Sequence, residues 1–397
     1  MQIYRLNKSS ELKTRAIIIS HMDLDGIMSA FLCDKAVRGL KGYTKDQVQV
    51  VGEYSPEPKS TIACLKQVLY KLQVDDELTI FVLDRSNIRS ADINKLLSDN
   101  WLKPNWRIIC IDHHNTNFKQ EEYENTIIRV AQLIDNRYSA AMNVVNYFSE
   151  YGFDFGNRIR EITRLTSIYD RFAWLTEKIS KEDEKNAKFL NRVCGIHHRN
   201  EFIKMIQEKS LEDILRLGEQ ASRIASICVN KIYLELLDDS NDFLIHTFEK
   251  KNESINVVFI RRHIEYIYIS ELSEYIFDNN NDIHVICYID PTLGSVALRS
   301  RESGKYLSLA DMISSLGLKG GGHPGAGGYY INRNCDKKEL IDKLYYDQSN
   351  MLTNFISDLQ DYFKLKDENN PFSYTDGKLF YGFDESCKNY LDKLIKK

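Results

Sequence analysis

The chain lacks both paired cysteines and long apolar stretches. Its eight cysteines are isolated, none forms a C-x-x-C pair, and several lie inside apolar runs. We therefore expect reduced, buried thiols rather than disulfides. No apolar run approaches the roughly 18 residues of a membrane span, and the first residues lack an apolar signal core. These absences predict a cytoplasmic protein that makes no use of a membrane.

Strong net charge is also absent. The formal net charge is −4 over 397 residues, with no internal repeat or low-complexity segment. An electrostatic footprint for long duplex DNA is therefore not evident, although local basic patches are compatible with this balance. With 43% hydrophobic and 28% charged residues, the composition is that of a soluble globular protein. The length favours two domains.

The first half of the chain alternates short apolar runs with amphipathic helical patterns. Strands are predicted at 16–20, 47–51, 78–83 and 107–111, with helices at about 26–38, 61–72 and 90–98. Near-continuous apolar strands separated by helices are typical of a parallel sheet covered on both faces. The predicted fold class is therefore α/β.

Acidic residues and histidines follow three of these predicted strands. They are His21-Met22-Asp23-Leu24-Asp25-Gly26, Asp84, and Asp112-His113-His114. In extended backbone, side chains alternate between faces, so we expect His21, Asp23 and Asp25 to point the same way. Crowded carboxylates repel one another, and divalent cations offset that repulsion. Because ligands bind beyond the carboxyl ends of parallel strands, the sequence predicts a metal site there.

The second half changes character twice. It is mainly helical from 140 to about 236, and the charge-rich stretch 178–188 is a solvated helix face or a loop. Strands are predicted at 243–248, 255–260, 284–289 and 295–300, whereas periodicity does not decide between strand and helix for 264–277. The predicted organisation is a first α/β domain at 1–185, a helical linker at 186–238, a smaller α/β domain at 239–345 and an extension at 346–397. A helix is predicted near 339–361, across the start of the extension.

Four short motifs occur in a fixed order: His21-x-Asp23-x-Asp25-Gly26, Leu83-Asp84, Asp112-His113-His114 and Tyr169-Asp170. Together they resemble the motifs of the DHH phosphoesterase superfamily, to which RecJ is related. Downstream, Val296-Ala297-Leu298-Arg299-Ser300 and Gly320-Gly321-Gly322-His323 resemble its DHHA1 substrate-binding domain. The resemblance spans roughly residues 15 to 335, and it implies a DHH domain followed by a DHHA1 domain.

The resemblance also implies a metal-dependent chemistry. Phosphodiester hydrolysis needs a nucleophilic hydroxide and a sink for charge on the leaving oxygen, and two cations about 3.5–4 Å apart supply both. Mixed imidazole and carboxylate ligands suit Mn²⁺, with Mg²⁺ a weaker fit. By resemblance, His21 and Asp23 hold one ion, while Asp84 bridges to a second ion. That second ion is held by Asp25, His113 and Asp170.

Further residues receive roles from the same resemblance. Asp112 and His114 would orient ligands or relay a proton as catalytic groups. Substrate binding is implied for Arg299, Gly321, Gly322 and His323. Consecutive glycines allow backbone N–H groups to approach a phosphate, and an arginine can pair with it bidentately.

Each candidate also has a structural interpretation. His21 is compatible with a hydrogen-bonded surface histidine, Asp84 with the N-cap of the next helix, and Asp170 with a helix terminus. The glycine run is compatible with a flexible loop. The pair His197-His198 lacks a preceding strand and acidic partners, so we expect it to be structural or to line a cleft between the domains.

The favoured function is two-metal hydrolysis of a nucleotide phosphodiester, with short oligonucleotides as substrate, because no added oligonucleotide-binding domain is evident. Alternatives are a cyclic-dinucleotide phosphodiesterase, which no preceding sensor or membrane segment supports, and hydrolysis of 3′-phosphoadenosine 5′-phosphate. A catalytically silent nucleotide-binding regulatory protein is a hypothesis from another class. It would be expected to lack ligand residues, and none is visibly missing. The sequence does not decide whether the protein forms a homodimer.

Overall fold

The computed structural model describes residues 2–3, 13–53, 58–72, 74–85, 88–114, 123, 128–238, 243–250, 253–290, 295–301, 308–315, 320–323 and 325–330. The chain divides into two compact units, Met1–Ala221 and Ser222–Lys397. The predicted helix at 339–361 and the extension at 346–397 lie outside the described residues. Within those residues, no helix has both the length and the apolar character needed to cross a bilayer.

The first unit is built on a mostly parallel sheet. Its strands are β1 (Gln2–Ile3), β2 (Thr14–Ser20), β3 (Val48–Gly52), β4 (Val74–Leu83), β5 (Arg107–Asp112) and β6 (Arg129–Ile134). They are arranged in the order β1-β3-β2-β4-β5-β6, and all neighbouring pairs except β1–β3 are parallel. The predicted α/β class and the four predicted strands are confirmed. β6 was not predicted, because an edge strand without a fully buried residue carries a weak apolar signal.

Helices cover both faces of this sheet. The helices of this unit are α1 (Leu24–Lys41), α2 (Pro58–Lys71), α3 (Ser90–Ser98), α4 (Ala140–Glu150), α5 (Asn157–Asp170), α6 (Ala173–Thr176), α7 (Lys181–Ile196) and α8 (Arg199–Glu208), and α9 (Leu211–Asp238) runs from this unit into the second. Ile17 and Ile19 of β2 pack with residues of α2 and α3, and Ile18 packs with residues of α1, α4 and α5. Burial on both faces explains why the strand sequences are continuously apolar. Most of the charge-rich stretch 178–188 is helical, because α7 begins directly after its N-cap Ser180.

The register aligns the ends of three strands. Ser20 at the end of β2 pairs with Leu83 of β4, and Leu83 pairs with Ile111 of β5. The residues that follow therefore emerge side by side from one edge of the sheet. The order also places β3 and β4 on opposite sides of β2. The gap between β2 and β4 is thus a topological switch point, where open α/β sheets bind ligands.

The second unit contains a mixed sheet that also has six described strands. Its elements are β7 (Phe243–Lys250), β8 (Glu253–Ile260), α10 (Tyr266–Asn279), β9 (Val285–Asp290), β10 (Ser295–Ser300), α11 (Leu309–Ser315), β11 (Gly320–His323) and β12 (Ala326–Tyr330). The strand order is β11-β12-β10-β9-β8-β7, with only β8 and β9 parallel among the described pairs. The undecided segment is helix α10. The described part of the glycine run pairs as β11 and β12 rather than forming a loop.

Candidate metal centre

The first motif leaves the strand earlier than expected. β2 ends at Ser20, and Asp23 already caps α1, because its Oδ1 accepts a hydrogen bond of 2.9 Å from the Gly26 N–H. Asp25 therefore lies in the first helical turn, so the expectation that His21, Asp23 and Asp25 share one face of an extended segment was wrong. The N-cap preference of aspartate turns the chain into a helix there. Gly26 is required for close approach, since a Cβ would overlap the His21 carbonyl oxygen.

The first group of potential ligands contains His21, Asp23 and Asp84. One ligand atom from each residue lies within 4.8 Å of the others. The His21 Nδ1 is 2.8 Å from Asp23 Oδ2 and 3.9 Å from Asp84 Oδ2. The structure therefore brings together residues from the end of β2 and the end of β4. His21 is not simply an isolated surface histidine.

The second group contains Asp25, His113 and Asp170, again with ligand atoms within 4.8 Å of one another. The His113 Nε2 lies 3.2 Å from Asp170 Oδ2 and 3.9 Å from Asp25 Oδ2. Asp25 is anchored by the first turn of α4, because its two oxygens accept hydrogen bonds of 2.7 and 2.9 Å from the N–H groups of Ala140 and Ala141. Asp170 is the last residue of α5, and its carboxylate reaches the other two residues from the helix terminus.

Asp84 lies between the two groups because β4 is the middle strand of the three. Its Oδ1 is 3.4 Å from the Nε2 of His113, while its Oδ2 faces His21. Its backbone N–H donates to the Ile111 carbonyl at 3.0 Å, with φ at 54°. Aspartate tolerates this left-handed conformation better than most residues. Asp84 is not the N-cap of α3, a position that Arg89 occupies.

The electrostatics of this edge favour a positive partner. Both carboxylate oxygens of Asp84 and Oδ2 of Asp170 are buried and have no hydrogen-bond partner among the described residues. Burial, followed by the charges of Asp23, Asp25 and Asp170, raises the pKa of Asp84 well above its ordinary value. Burial and the charge of Asp170 likewise raise the pKa of Asp25. Buried carboxylate oxygens without hydrogen-bond donors are rare in proteins, and such oxygens are the ligands that divalent cations prefer. The residues present therefore fit a metal centre.

Asp112 and His114 form a hydrogen-bonded pair beside this centre. The His114 Nδ1 lies 2.9 Å from Asp112 Oδ1, which also accepts the His113 N–H at 2.8 Å. Burial acts to raise the pKa of Asp112, but the charge and hydrogen bond of His114 outweigh it and lower that pKa. Burial acts against the charged form of His114, yet Asp112 raises the pKa of His114 to about 9. The pair can therefore hold a proton on His114.

Two buried residues near the centre were not predicted from the sequence. Asn143 of α4 donates through Nδ2 to the carbonyl oxygens of Asp112 and Asp135 at 3.0 and 2.9 Å, which fixes the ends of β5 and β6. Arg85 is fully buried directly after Asp84, and its positive charge offsets part of the acidic cluster. A polar residue inside the otherwise apolar start of α4 was the available signal for Asn143.

The four candidate substrate-binding residues all lie in the second unit. Arg299 of β10 pairs with Ala326 of β12, which pairs with His323 of β11, so the three residues share one row of the sheet. The Arg299 Nη1 donates to the Leu298 carbonyl at 2.8 Å, whereas its buried Nε has no hydrogen-bond partner among the described residues. A Cβ at Gly322 would overlap backbone atoms of β12, so this pairing requires glycine. The other candidate, Gly321, pairs with Gly328.

The two adjacent histidines lie at helix ends rather than in an acidic cluster. His197 follows α7 as its C-cap, and His198 precedes α8 as its N-cap. The His197 Nδ1 is 3.5 Å from a carboxylate oxygen of Glu201 on α8. This position between two helices agrees with the structural interpretation.

Comparison with known proteins identifies the fold. No family model and no curated protein match the chain. The DHH domain of a member of a ribosomal protein family is similar at 15% identity and a TM-score of 0.52, over 84% of this chain and 86% of that one. RecJ in complex with Mn²⁺ from Thermus thermophilus is similar at 10% identity and a TM-score of 0.51, over 90% of this chain and 57% of that one. Exonuclease RecJ bound to manganese is similar at 11% identity and a TM-score of 0.48, over 85% of this chain and 89% of that one.

The sheet with its switch point and acidic edge defines a two-unit α/β protein with a candidate metal centre. Its fold is similar to those of the DHH domain and of RecJ, which agrees with the fold that the four motifs implied. The matched structures are distant in sequence, so their activities enter only as a basis for the proposal that follows.

Proposed function

We propose that the protein is a metal-dependent phosphoesterase that hydrolyses phosphodiesters of short oligonucleotides. The observation that carries this proposal is the position of Asp84, whose two buried oxygens face two separate groups of potential ligands. Such an arrangement supports a pair of cations that share one bridging carboxylate. A single structural cation would not need both groups.

In this proposal, His21 and Asp23 hold one cation, and Asp25, His113 and Asp170 hold the other, with Asp84 shared. Bound cations would activate water and offset the charge that develops on the phosphoryl oxygens. We propose Mn²⁺ as the working ion, because each group mixes imidazole with carboxylates, and Mg²⁺ as a weaker substitute. The RecJ structure described with Mn²⁺ supports this choice.

We assign proton transfer to the pair formed by Asp112 and His114. The Asp112 carboxylate engages Nδ1 of His114 and thereby fixes the orientation of the imidazole. We assign proton transfer to the leaving oxygen to Nε2 of His114. Asn143 keeps the Asp112 backbone in place by its hydrogen bond to the carbonyl oxygen. Together these residues present a proton donor at the edge of the centre.

We assign substrate phosphate binding to Arg299, Gly321, Gly322 and His323 of the second unit. Catalytic and substrate-binding roles then fall in the proposed DHH domain at 1–185 and the proposed DHHA1 domain at 239–345. The arginine and the glycine backbone supply the donors that a phosphate accepts. A small nucleotide substrate, rather than long duplex DNA, agrees with the nearly balanced charge of the chain.

The proposal is tested with 5′-labelled RNA dinucleotide in Mn²⁺ or chelator, beside a longer oligomer, a cyclic dinucleotide and 3′-phosphoadenosine 5′-phosphate. We expect the dinucleotide to be cleaved fastest, and only with metal. Asp84→Asn should abolish cleavage, whereas Asp92→Asn, the same change at a half-buried aspartate of α3 that pairs with Arg89, should not. Preference for another of these substrates would redirect the assignment. Inactivity on all four, with cations bound, would favour a nucleotide-binding regulatory protein.

A further inference from the structure

An aromatic cluster flanks Asp170 in the chain. Tyr169, Phe172 and Trp174 are all partly exposed, and their ring centroids lie 5.5–6.1 Å apart. Phe172 meets Trp174 edge to face at 67°, which is a favoured geometry for aromatic pairs. Neither the metal centre nor the hydrolytic chemistry makes use of these rings.

The backbone at Phe172 is unusual. Its φ is 49°, a left-handed conformation that bulky residues rarely adopt and that glycine or asparagine would adopt at lower cost. The chain nevertheless places a phenylalanine there, immediately before α6. The following segment is held by an ion pair between Arg171 and Glu177. The conformation thus fixes a partly exposed ring at a defined position.

That position is close to the candidate metal centre. Asp170 Oδ2 lies 3.2 Å from His113 Nε2, and Phe172 is only two residues further along the chain. Two residues span at most about 7 Å, so the Phe172 backbone is within reach of a nucleotide whose phosphate lies at the cations. The Lys188 ammonium lies 5.0 Å from the Trp174 ring centroid and therefore occupies part of the space over that ring. Trp174 is accordingly a residue that packs against Phe172 and supports its ring, rather than the surface on which a base stacks.

We propose that Phe172, supported by Tyr169 and Trp174, is a stacking platform for the nucleobase adjacent to the scissile phosphate. This proposal rests on the proposed function, because it names how the same site recognises its substrate. Every base offers a π face, so such a platform selects nucleotides over other phosphodiesters without selecting a sequence. It makes Phe172 a specificity-determining residue that acts on substrate binding and not on the chemical step.

The kinetic test compares two substrates and two variants. The substrates are the labelled RNA dinucleotide and the same molecule with both bases removed. Loss of one base stack should raise KM for the intact dinucleotide roughly 5-fold to 100-fold in Phe172→Leu, with kcat and the base-free substrate little changed. Phe172→Tyr, which keeps the aromatic face, should retain the wild-type KM. Equal effects on both substrates, or no effect, would overturn the proposal.

A binding test separates this proposal from the proposed function. Trp174 is one of three tryptophans, and the other two, Trp101 and Trp106, pack with the core on the side of α2 and α3. At constant metal concentration, adenosine 5′-monophosphate should quench tryptophan fluorescence, whereas ribose 5-phosphate should not. Quenching should vanish in Trp174→Phe and persist in Trp101→Phe.

The two tests distinguish failure of the stacking platform from failure of the proposed function. Quenching without any hydrolysis would preserve the platform and reject the phosphodiesterase assignment. Hydrolysis with neither quenching nor base dependence would reject the platform alone. If Phe172→Leu fails to fold, as judged by its thermal transition, Trp174→Leu replaces it in the kinetic test, and an unchanged KM for the dinucleotide there would likewise overturn the proposal.

Discussion

The Nε2 of His113 lies 3.4 Å from Oδ1 of Asp84. This contact joins the two groups of potential ligands, since His113 belongs to the group with Asp25 and Asp170, and Asp84 to the group with His21. The aligned ends of β4 and β5 create it. Three predictions about the metal centre follow from this geometry, and a fourth concerns the thiols.

Cation stoichiometry should respond separately to changes in the two groups. His21→Ala removes a residue of the first group only, and Asp170→Asn removes one of the second group only. We expect each variant to retain about one of two cations per chain, and Asp84→Asn to retain less than one. Metal analysis after desalting from Mn²⁺ measures this. If His21→Ala and Asp170→Asn each lost both cations, a single shared site would be indicated instead.

Replacing Asp84 by asparagine should stabilise the metal-free protein. The raised pKa of Asp84 means that its ionised form disfavours the folded state at neutral pH, and asparagine removes that charge while tolerating the left-handed backbone. We expect the free energy of unfolding in chelator to rise by about 1–3 kcal/mol. Asp112→Asn is the matched control. The pKa of Asp112 is lowered by His114, so that variant should be less stable. A loss of stability in Asp84→Asn would contradict the assignment of unpartnered charge.

Gly26→Ala should damage both stability and activity. The added Cβ would overlap the His21 carbonyl, so the start of α1 or the His21 backbone must shift. A cost of about 1–3 kcal/mol is typical of overpacking at a rigid contact, and thermal unfolding measures it. Gly195→Ala, on the exposed surface of α7, should instead be neutral or stabilising by up to about 1 kcal/mol. Similar thermal transitions for the two variants would show that the N-terminus of α1 is more adaptable than this contact indicates.

The thiols should be largely unreactive in the native protein. Cys33, Cys64, Cys110, Cys194 and Cys287 are buried, and Cys228 is half-buried. Burial raises the pKa of the buried thiols, which suppresses the reactive thiolate. In a chain carrying Cys335→Ser and Cys387→Ser, a thiol reagent should label at most about one cysteine before denaturant is added. Rapid labelling of several thiols would show that the core opens readily.

The strand ends were predictable because apolar continuity is a strong signal. Buried parallel strands such as β2 and β4 carry it in their composition, and polar residues mark where each one stops. Asp84 and Asp112 were therefore placed at one edge of a sheet from the sequence, and the four motifs assigned them a centre. The resemblance also implied a shared position for Asp84, and the strand order, which puts β4 between β2 and β5, gives the physical reason.

The remaining features depend on interactions that a linear pattern does not encode. Asp25 was expected in extended backbone, but the capping bond from Gly26 to Asp23 begins a helix first. The left-handed conformations of Asp84 and Phe172 are imposed by their surroundings, because neither residue type prefers them. Asn143 contributes through two carbonyl oxygens at strand ends, and no spacing rule predicts such partners.

The two hydrogen bonds from the start of α4 to Asp25 have a consequence for synthesis of the chain. Asp25 is made early, yet its anchoring donors at Ala140 and Ala141 come more than a hundred residues later. Asp170, at the end of α5, comes later still. A nascent chain that has formed only the first strands thus exposes an incomplete set of carboxylates. The centre has high contact order, so cation uptake on the ribosome would report that the chain has been released and folded as far as the end of α5.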